Sequence, residues 1–366
     1  MIFEKELEKA IDLCLEKKLL FACYSLPQQN LCDFIIQKDA SIKSFSFDKF
    51  ISKDMGFVFC PFDLDSSYPK VFIHADYHGK VDDIDFEKLE NNNKGLIEKT
   101  SELSPMPKED YYLKLGELIG EIKQDSELKK VVFSRIQTID RSKDFKESRS
   151  FISLVKKYPE AFTSIVNIPG IGCWLGATPE TLVKLKNQKV FTMALAGTQK
   201  NIPGTVAEVN WSEKDREEQL FVSDFIEQNL KSNGVLTYKK QGPQTLNAAQ
   251  VKHLLTTYQF DYKQLQNGVG NFIKDMHPTP AVGGVPKEKA LQWIKRLEPH
   301  CREYYSGFLG PVNTERDSNL FVNLRCMKVG EKNLALYIGG GITANSKVEK
   351  EWEETCLKSQ TLLSIL

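Results

Sequence analysis

The feature that most constrains this chain's fold is a succession of strand-like segments set between isolated long helices. Lys130-Val131-Val132-Phe133-Ser134-Arg135 reads as a β-branched strand, and further strands are predicted at 162–168, 172–177, 181–186 and 189–195. Consecutive strands of this kind pair into largely antiparallel sheets that the helices then cover. The pattern therefore predicts an α+β layout, with large, mostly antiparallel sheets flanked by helices, rather than a regular βαβ alternation. No period repeats along the chain.

An amphipathic helix is predicted around Leu7, Ile11 and Leu15, followed by short aromatic strands at Gly56–Cys60 and Val71–His74. The polar stretch from Asn91 to Pro107, with three consecutive asparagines and two prolines, reads as a connection and is the best internal boundary. It separates residues 1–105, which carry no catalytic motif, from residues 106–366. The second region opens on a helix bearing Leu115, Leu118, Ile119 and Ile122. A long helix begins near Ser212, which stands at capping-box spacing from Asp215. A strand near 235–240, a segment around His253 and a helix near 261–274 follow. The turn-rich run His277-Pro278-Thr279-Pro280-Ala281-Val282-Gly283-Gly284 leads into a helix that Pro286 starts. Strands near 304–312, 319–328 and 333–339 precede a final helix capped by Ser346 and Glu349.

Charge and motif content exclude several classes of function. The 49 basic and 49 acidic side chains cancel, so no overall field draws the protein to nucleic acid or to an anionic membrane, and a small-molecule partner is expected. The eight cysteines are scattered, without a Cys-x-x-Cys pair or a zinc-like grouping with histidine, and read as reduced thiols of a cytoplasmic protein. The N-terminus lacks the apolar core of a signal peptide, and no segment has the ~20 apolar residues of a membrane span. Gly170-Ile171-Gly172-Cys173-Trp174-Leu175-Gly176 is one residue too long for the dinucleotide fingerprint, and no Gly-Lys-Ser/Thr phosphate loop exists.

Several residues stand out chemically. In the last helix Glu351, Glu354 and Lys358 share one face at offsets of three and four. Two stacked carboxylates repel, and a divalent cation would resolve the conflict. Glu218 lies on the side of its helix that carries Phe221, Val222 and Phe225, so its carboxylate points inward and must be neutralised by protonation, by a basic side chain or by a metal. A surface pair with Lys214, four residues away, is the plain alternative. Hard oxygen ligands without a Cys/His grouping select magnesium. Lys130 alternates with Val132 and Ser134, and is either a general base half-buried on that face or a strand-edge lysine with a solvated head. Glu180, at a turn after Ala177-Thr178-Pro179, is an acid or a capped turn residue. Ala196-Gly197-Thr198 and Gly339-Gly340-Gly341 end strands with amides able to approach an anion, although tight turns explain them equally well. Arg325, in an apolar strand, would need a carboxylate from the protein or from a ligand. His253 is a satisfied core histidine or a donor to a substrate oxygen.

Order and spacing together resemble the chorismate-utilising enzyme family over about residues 110–366. The matching segments are Lys130-Val-Val-Phe-Ser-Arg135, Leu175-Gly-Ala-Thr-Pro-Glu180, Leu195-Ala-Gly-Thr198, Ser212-Glu-Lys-Asp-Arg-Glu-Glu218 and His277-Pro-Thr-Pro-Ala281. Arg302-Glu-Tyr-Tyr-Ser-Gly307, Leu324-Arg-Cys326 and Gly339-Gly-Gly-Ile342 followed by Glu351-Trp-Glu-Glu-Thr355 complete the set. The resemblance implies a single large α/β sandwich domain and magnesium-dependent chemistry on chorismate. A lysine at position 130 resembles the isochorismate- and salicylate-forming branches. Ala196 stands where aminodeoxychorismate synthases place a nucleophilic lysine. The isochorismate-forming branch is the better match, with its product feeding menaquinone or siderophore/salicylate biosynthesis. A salicylate synthase is the alternative, ahead of an anthranilate or aminodeoxychorismate synthase component and of an inactive chorismate-binding subunit.

The same resemblance implies roles for individual residues. Lys130 is the base that activates water and Glu180 the acid that protonates the departing hydroxyl. Glu218, Glu351 and Glu354 hold Mg2+. Arg325, Tyr305 and the amide of Gly341 hold the enolpyruvyl carboxylate, while Gly197, Thr198, His253, Ala281 and Lys358 line the substrate site. A monomer without a glutaminase partner is expected. The chain departs from the family where Ala194, Gln219 and Ser306 stand, and none of these changes removes a proposed catalytic group.

Overall fold

The computed structural model describes residues 2–29, 31–47, 54–90, 103–200, 210–248, 251–314 and 317–366. Most of the expected connection between Asn91 and Pro107 lies outside the described residues. The described strands form two nine-stranded sheets. The first begins with β14 (Gly284–Val285), β7 (Lys130–Asp140), β18 (Asn333–Ile342) and β17 (Cys326–Val329). It continues through β9 (Gly172–Thr178), β8 (Phe162–Ile168), β1 (Leu20–Ser25), β2 (Asp33–Gln37) and β6 (Tyr77–Gly79). The second runs from β12 (Lys239–Ala248) through β13 (Val251–Asp261), β11 (Lys189–Lys200), β10 (Thr181–Lys186) and β16 (Ser318–Val322). It ends with β15 (Phe308–Val312), β4 (Gly56–Cys60), β5 (Val71–His74) and β3 (Lys43–Ser44). Every pairing is antiparallel. Residues 20–79 thus supply one edge of each sheet, and later residues the rest.

The sheets face each other across an aromatic interior and carry helices on their outer faces. Phe162 stacks on Phe321, and Phe59 on Tyr304, each with ring centroids 4.1 Å apart. Such pairs add about 0.5–1.5 kcal/mol to the burial of their area. Outside the first sheet, Leu7 and Ile11 of α1 (Ile2–Glu16) and Phe151 and Leu154 of α3 (Glu147–Lys157) pack on Leu175, Met327 and Leu336. Outside the second, Val222 and Ile226 of α4 (Glu213–Ser232) and Phe272 of α5 (Gly268–Met276) cover Val190 and Tyr258. A strand covered on both faces is apolar at successive positions. In β9, Trp174 accordingly enters the interior while Cys173, Leu175 and Ala177 meet the helices. Beyond the far end of the first sheet, α2 (Lys108–Gln124) and α6 (Lys287–Leu297) pack on Val131 and Phe133. Among the described residues no helix is long and apolar enough to cross a membrane.

The capping box of α4 forms as its spacing predicts, with Ser212 and Asp215 exchanging side-chain-to-backbone hydrogen bonds. The final helix, α7 (Val348–Leu363), differs. Ser346 Oγ accepts from Thr343 N–H at 3.1 Å, and Lys347 takes the cap position without a side-chain bond. The helix expected over 261–274 forms only from Gly268, where φ is +78°, through Met276, and a single 3-10 turn at Tyr262–Gln264 precedes it. The strand expected over 319–328 breaks after Val322. Arg325 takes a left-handed φ of +48°, and the chain leaves the second sheet there to enter the first.

Candidate active site

Where β18, β7, β11 and β13 approach α4 and α7, their ends and the turns around Glu180, Ala281 and Arg325 enclose a cavity. Ten of the thirteen residues expected to form the site line it: Glu180, Gly197, Thr198, Glu218, His253, Ala281, Tyr305, Arg325, Gly341 and Lys358. Lys130 lies just behind this wall, fully buried rather than half-buried, and at its end of β7 the short β14 covers what would otherwise be an edge. Glu351 and Glu354 lie in an adjoining cleft that shares Thr198 with the cavity.

Each of the three acidic residues expected to hold a metal is paired with a lysine. Lys130 Nζ lies 2.8 Å from Glu218 Oε1, Lys214 Nζ 2.6 Å from Glu351 Oε1, and Lys358 Nζ 2.6 Å from Glu354 Oε1. Lys214 therefore does not form the surface pair with Glu218 that its spacing allowed; it reaches across to α7. Burial opposes the charge of Lys214, but Glu218, Glu351 and Glu354 outweigh it and raise its pKa. Burial likewise pushes the Glu218 carboxyl upward, and Lys130 and Lys214 overcome it, holding the pKa down to about 2. For Glu351 burial prevails and raises the pKa.

These acids surround the Gly340–Gly341 backbone. A Cβ on Gly340 would lie 3.5 Å from Glu351 Oε2 and 3.9 Å from Glu354 Oε1, and one on Gly341 would overlap Glu218 Oε1. Among the described residues Glu351 Oε2 is buried without a hydrogen-bond partner. Among the described residues no three acidic, histidine or cysteine side chains already stand close enough to chelate an ion. The lysines hold them in charge-neutral pairs instead. All-oxygen donors, an orphaned carboxylate oxygen and a space that only glycine leaves open fit a hard divalent cation such as magnesium.

The remaining cavity groups are aimed by backbone geometry. Val132 donates to Gly283 O on the β14 side, so its neighbour across the ladder, Gly341, turns its N–H away from β7 into space that β17 has left. The left-handed turn at Arg325 directs its guanidinium into the wall, where it donates to Thr361 Oγ1 at 3.3 Å, with no ion pair among the described residues. Gly197 is also left-handed, at φ +73°, and a Cβ there would press within 3.1 Å of Asp215. Asp215 Oδ1 accepts from Thr198 N–H and so braces that bulge.

His253 Nδ1 lies 2.8 Å from Gly197 O. A carbonyl only accepts, so Nδ1 carries the proton, and the buried Nε2, without a partner among the described residues, is an acceptor. Of the two readings of His253, a donor to a substrate oxygen does not fit this tautomer, in which Nε2 only accepts. Burial, with Arg325 nearby, lowers the His253 pKa to about 4, so the ring is neutral at physiological pH. Glu180 is the opposite case. Burial raises its pKa to about 8 despite Lys130, Lys358 and Arg325, so it holds its proton at neutral pH.

The contribution of Lys214 was not recognised from sequence, although its offset of four from Glu218 placed it on the correct helix face. Nor was the bracing by Asp215, which the capping box had already fixed in place.

A sequence-family model described as chorismate binding enzyme matches residues 73–366. The isochorismate synthase EntC of Escherichia coli K12 is 29% identical over 242 residues, covering 64% of this chain and 62% of that protein. The match thus spans less than two thirds of that relative's length. DhbC of Bacillus anthracis, assigned as a 2,3-dihydroxybenzoate-specific isochorismate synthase, superimposes with a TM-score of 0.78 at 25% identity, covering 98% of this chain and 99% of that one. MenF of Escherichia coli, a menaquinone-specific isochorismate synthase, gives 0.76 at 21% identity, over 95% of this chain and 88% of that one, a likeness of fold.

Proposed function

The chain belongs to the chorismate binding enzyme family, and on that premise we propose that it is an isochorismate synthase that converts chorismate to isochorismate with magnesium. The observation that carries this reading is the pair of opposed proton roles at one cavity. Glu180 keeps its proton at neutral pH, and the Lys130 amine lies behind Gly341, its only ion-pair partner among the described residues being Glu218. Ala196 offers no nucleophile in place of water.

Glu218, Glu351 and Glu354 would hold the magnesium ion. When bound, it supplies a fixed positive charge that clamps the ring carboxylate. Arg325, Tyr305 and the open Gly341 N–H take the enolpyruvyl carboxylate, a fork and a backbone donor suited to a planar anion. Once Lys130 has left Glu218 and given its ammonium proton to solvent, the neutral amine accepts a proton from water as its oxygen bonds to C2 of the ring. The ring double bonds shift, the C4–O bond breaks, and Glu180 gives its proton to the departing hydroxyl, which leaves as water. Neutral His253 cannot be that acid. Its Nε2 accepts a hydrogen bond from a substrate hydroxyl, while Gly197, Thr198, Ala281 and Lys358 close the remaining walls. Water as nucleophile requires no glutaminase partner.

The test is direct. Purified protein incubated with chorismate and magnesium is expected to yield isochorismate, resolved by chromatography. Salicylate plus pyruvate as main products would replace this reading with a salicylate synthase, ammonia dependence with an aminating enzyme, and no turnover with a binding subunit.

Gly341→Ala gives a sharper check on the site. Its methyl group would fall on Glu218 Oε1 and 2.8 Å from Lys130 Cε. Turnover is expected to fall about 100-fold, with a stability loss of about 1–3 kcal/mol from overpacking. Steady-state kinetics beside thermal melting measure both.

A further inference from the structure

β14 is two residues long, and the turn before it leaves β7 while β7 continues. Val132 O and Ser134 N–H therefore face a place where, among the described residues, no strand lies. Two side chains take that place. Arg302 Nη2 donates to Val132 O at 2.7 Å, and Glu298 Oε1 accepts from Ser134 N–H at 2.7 Å and from Ser134 Oγ at 2.8 Å. The two are joined by paired bonds, Arg302 Nε to Glu298 Oε2 at 2.8 Å and Nη2 to Oε1 at 2.6 Å. Arg302 Nη1 donates in addition to Val282 O at 2.8 Å. Its guanidinium lies 5.9 Å from the centre of the Tyr305 ring. Both residues of the pair are at most 9% exposed, and neither lines the cavity.

We propose that Glu298 and Arg302 are positioning residues. They form a side-chain clamp that fixes the Ala281–Val282 turn and Tyr305 against the strand carrying Lys130, and so set the reacting geometry without touching substrate. A buried ion pair is a weak stabiliser, because desolvation consumes most of its attraction. What it supplies is direction: the planar guanidinium fork fixes four bonds at once, to a carboxylate and to two carbonyls on different segments. Val132, Val282 and Tyr305 are the segments it ties, and all three line the cavity. A misplacement on the order of 1 Å there is enough to cost about 100-fold in rate.

The proposal rests on the catalytic reading above, and its test separates the two. Arg302→Lys keeps the charge opposite Glu298 but loses the fork. It is expected to lower kcat about 10- to 100-fold per folded molecule, with circular dichroism retained and the pH profile unmoved. Val282→Ala combined with Arg302→Lys is expected to lose less than the product of the single losses, because Arg302 acts through Val282. Should Arg302→Lys not fold, Glu298→Gln, which keeps an oxygen for Ser134 N–H, is read in the same way. Parental kcat per folded molecule, or independent and multiplicative losses, would overturn the clamp. If the parent gives another product from chorismate, the same ratios are measured on that product. If the parent does not turn over, the catalytic reading falls, and the clamp is judged by the chorismate Kd, expected to rise about tenfold in Arg302→Lys and unchanged if the proposal is wrong.

Discussion

Glu180→Gln is expected to reduce turnover about 10²- to 10⁴-fold, the range for removing a positioned proton donor, while leaving the fold intact. Glu180 is buried at 4% exposure, and that burial lifts its pKa to about 8 against the partial opposition of Lys130, Lys358 and Arg325. A general acid acts while protonated. In the parent, kcat/KM should therefore hold below pH 8 and fall as pH rises through that value, about tenfold per pH unit on the far side. Glutamine does not titrate, so the alkaline limb should vanish with the activity. Stability moves in the same direction but over a lower range of pH. The folded pKa lies above the unfolded value of 4.5, so this group favours folding below about pH 4.5 and loses that contribution between 4.5 and 8. The glutamine variant should melt no lower than the parent at pH 8, and relatively higher there than at pH 5. An alkaline limb that survives the substitution would assign the proton to another group.

The segments that meet around the cavity were legible because their residues violate local rules: a lysine opening an apolar strand, an inward glutamate, stacked acids on one helix face. Such violations mark function more reliably than they mark fold. The antiparallel layout was also legible, since the strands β8 to β11 follow one another through short connections. β12 was misplaced for a physical reason. Its stretch Lys239–Ala248 contains Gly242 and Pro243, residues that argue against a strand, and it is tolerated as an edge strand with a register shift between Gln241 and Gln244. The sequence pattern predicts a strand through Arg325, because nothing local foretells a left-handed arginine. That conformation is imposed where the chain crosses between sheets. The pairing of Lys214 with Glu351 joins helices more than a hundred residues apart in the chain, and helix spacing carries no information about it. The Glu298–Arg302 pair was hidden in the same way: an i,i+4 spacing looks like an ordinary surface pair, and only burial reveals that its bonds lead to β7 and to Val282.

Lys130→Ala tests whether the lysines stand in for the cation as well as serve the chemistry. Turnover is expected to fall about 10²- to 10⁴-fold, since among the described residues no other amine is paired at Glu218 to accept the proton from water. The substitution also leaves Glu218 buried without its counter-charge, a change that costs about 3–5 kcal/mol where one partner of a buried pair is removed. Adding Glu218→Gln should restore part of that loss in melting experiments; a double variant as unstable as the single one would trace the damage to lost packing instead. Magnesium distinguishes the two roles of the lysine. In the parent, Lys130 competes with any cation for the Glu218 carboxylate, whereas in Lys130→Ala that carboxylate is free. The inactive variant should therefore bind magnesium more tightly than the active parent and gain more melting temperature from it, by mass action on the folded state. Parental turnover in Lys130→Ala would remove Lys130 from the reaction. An unchanged magnesium response would show that Glu218 does not have to exchange its lysine for the ion.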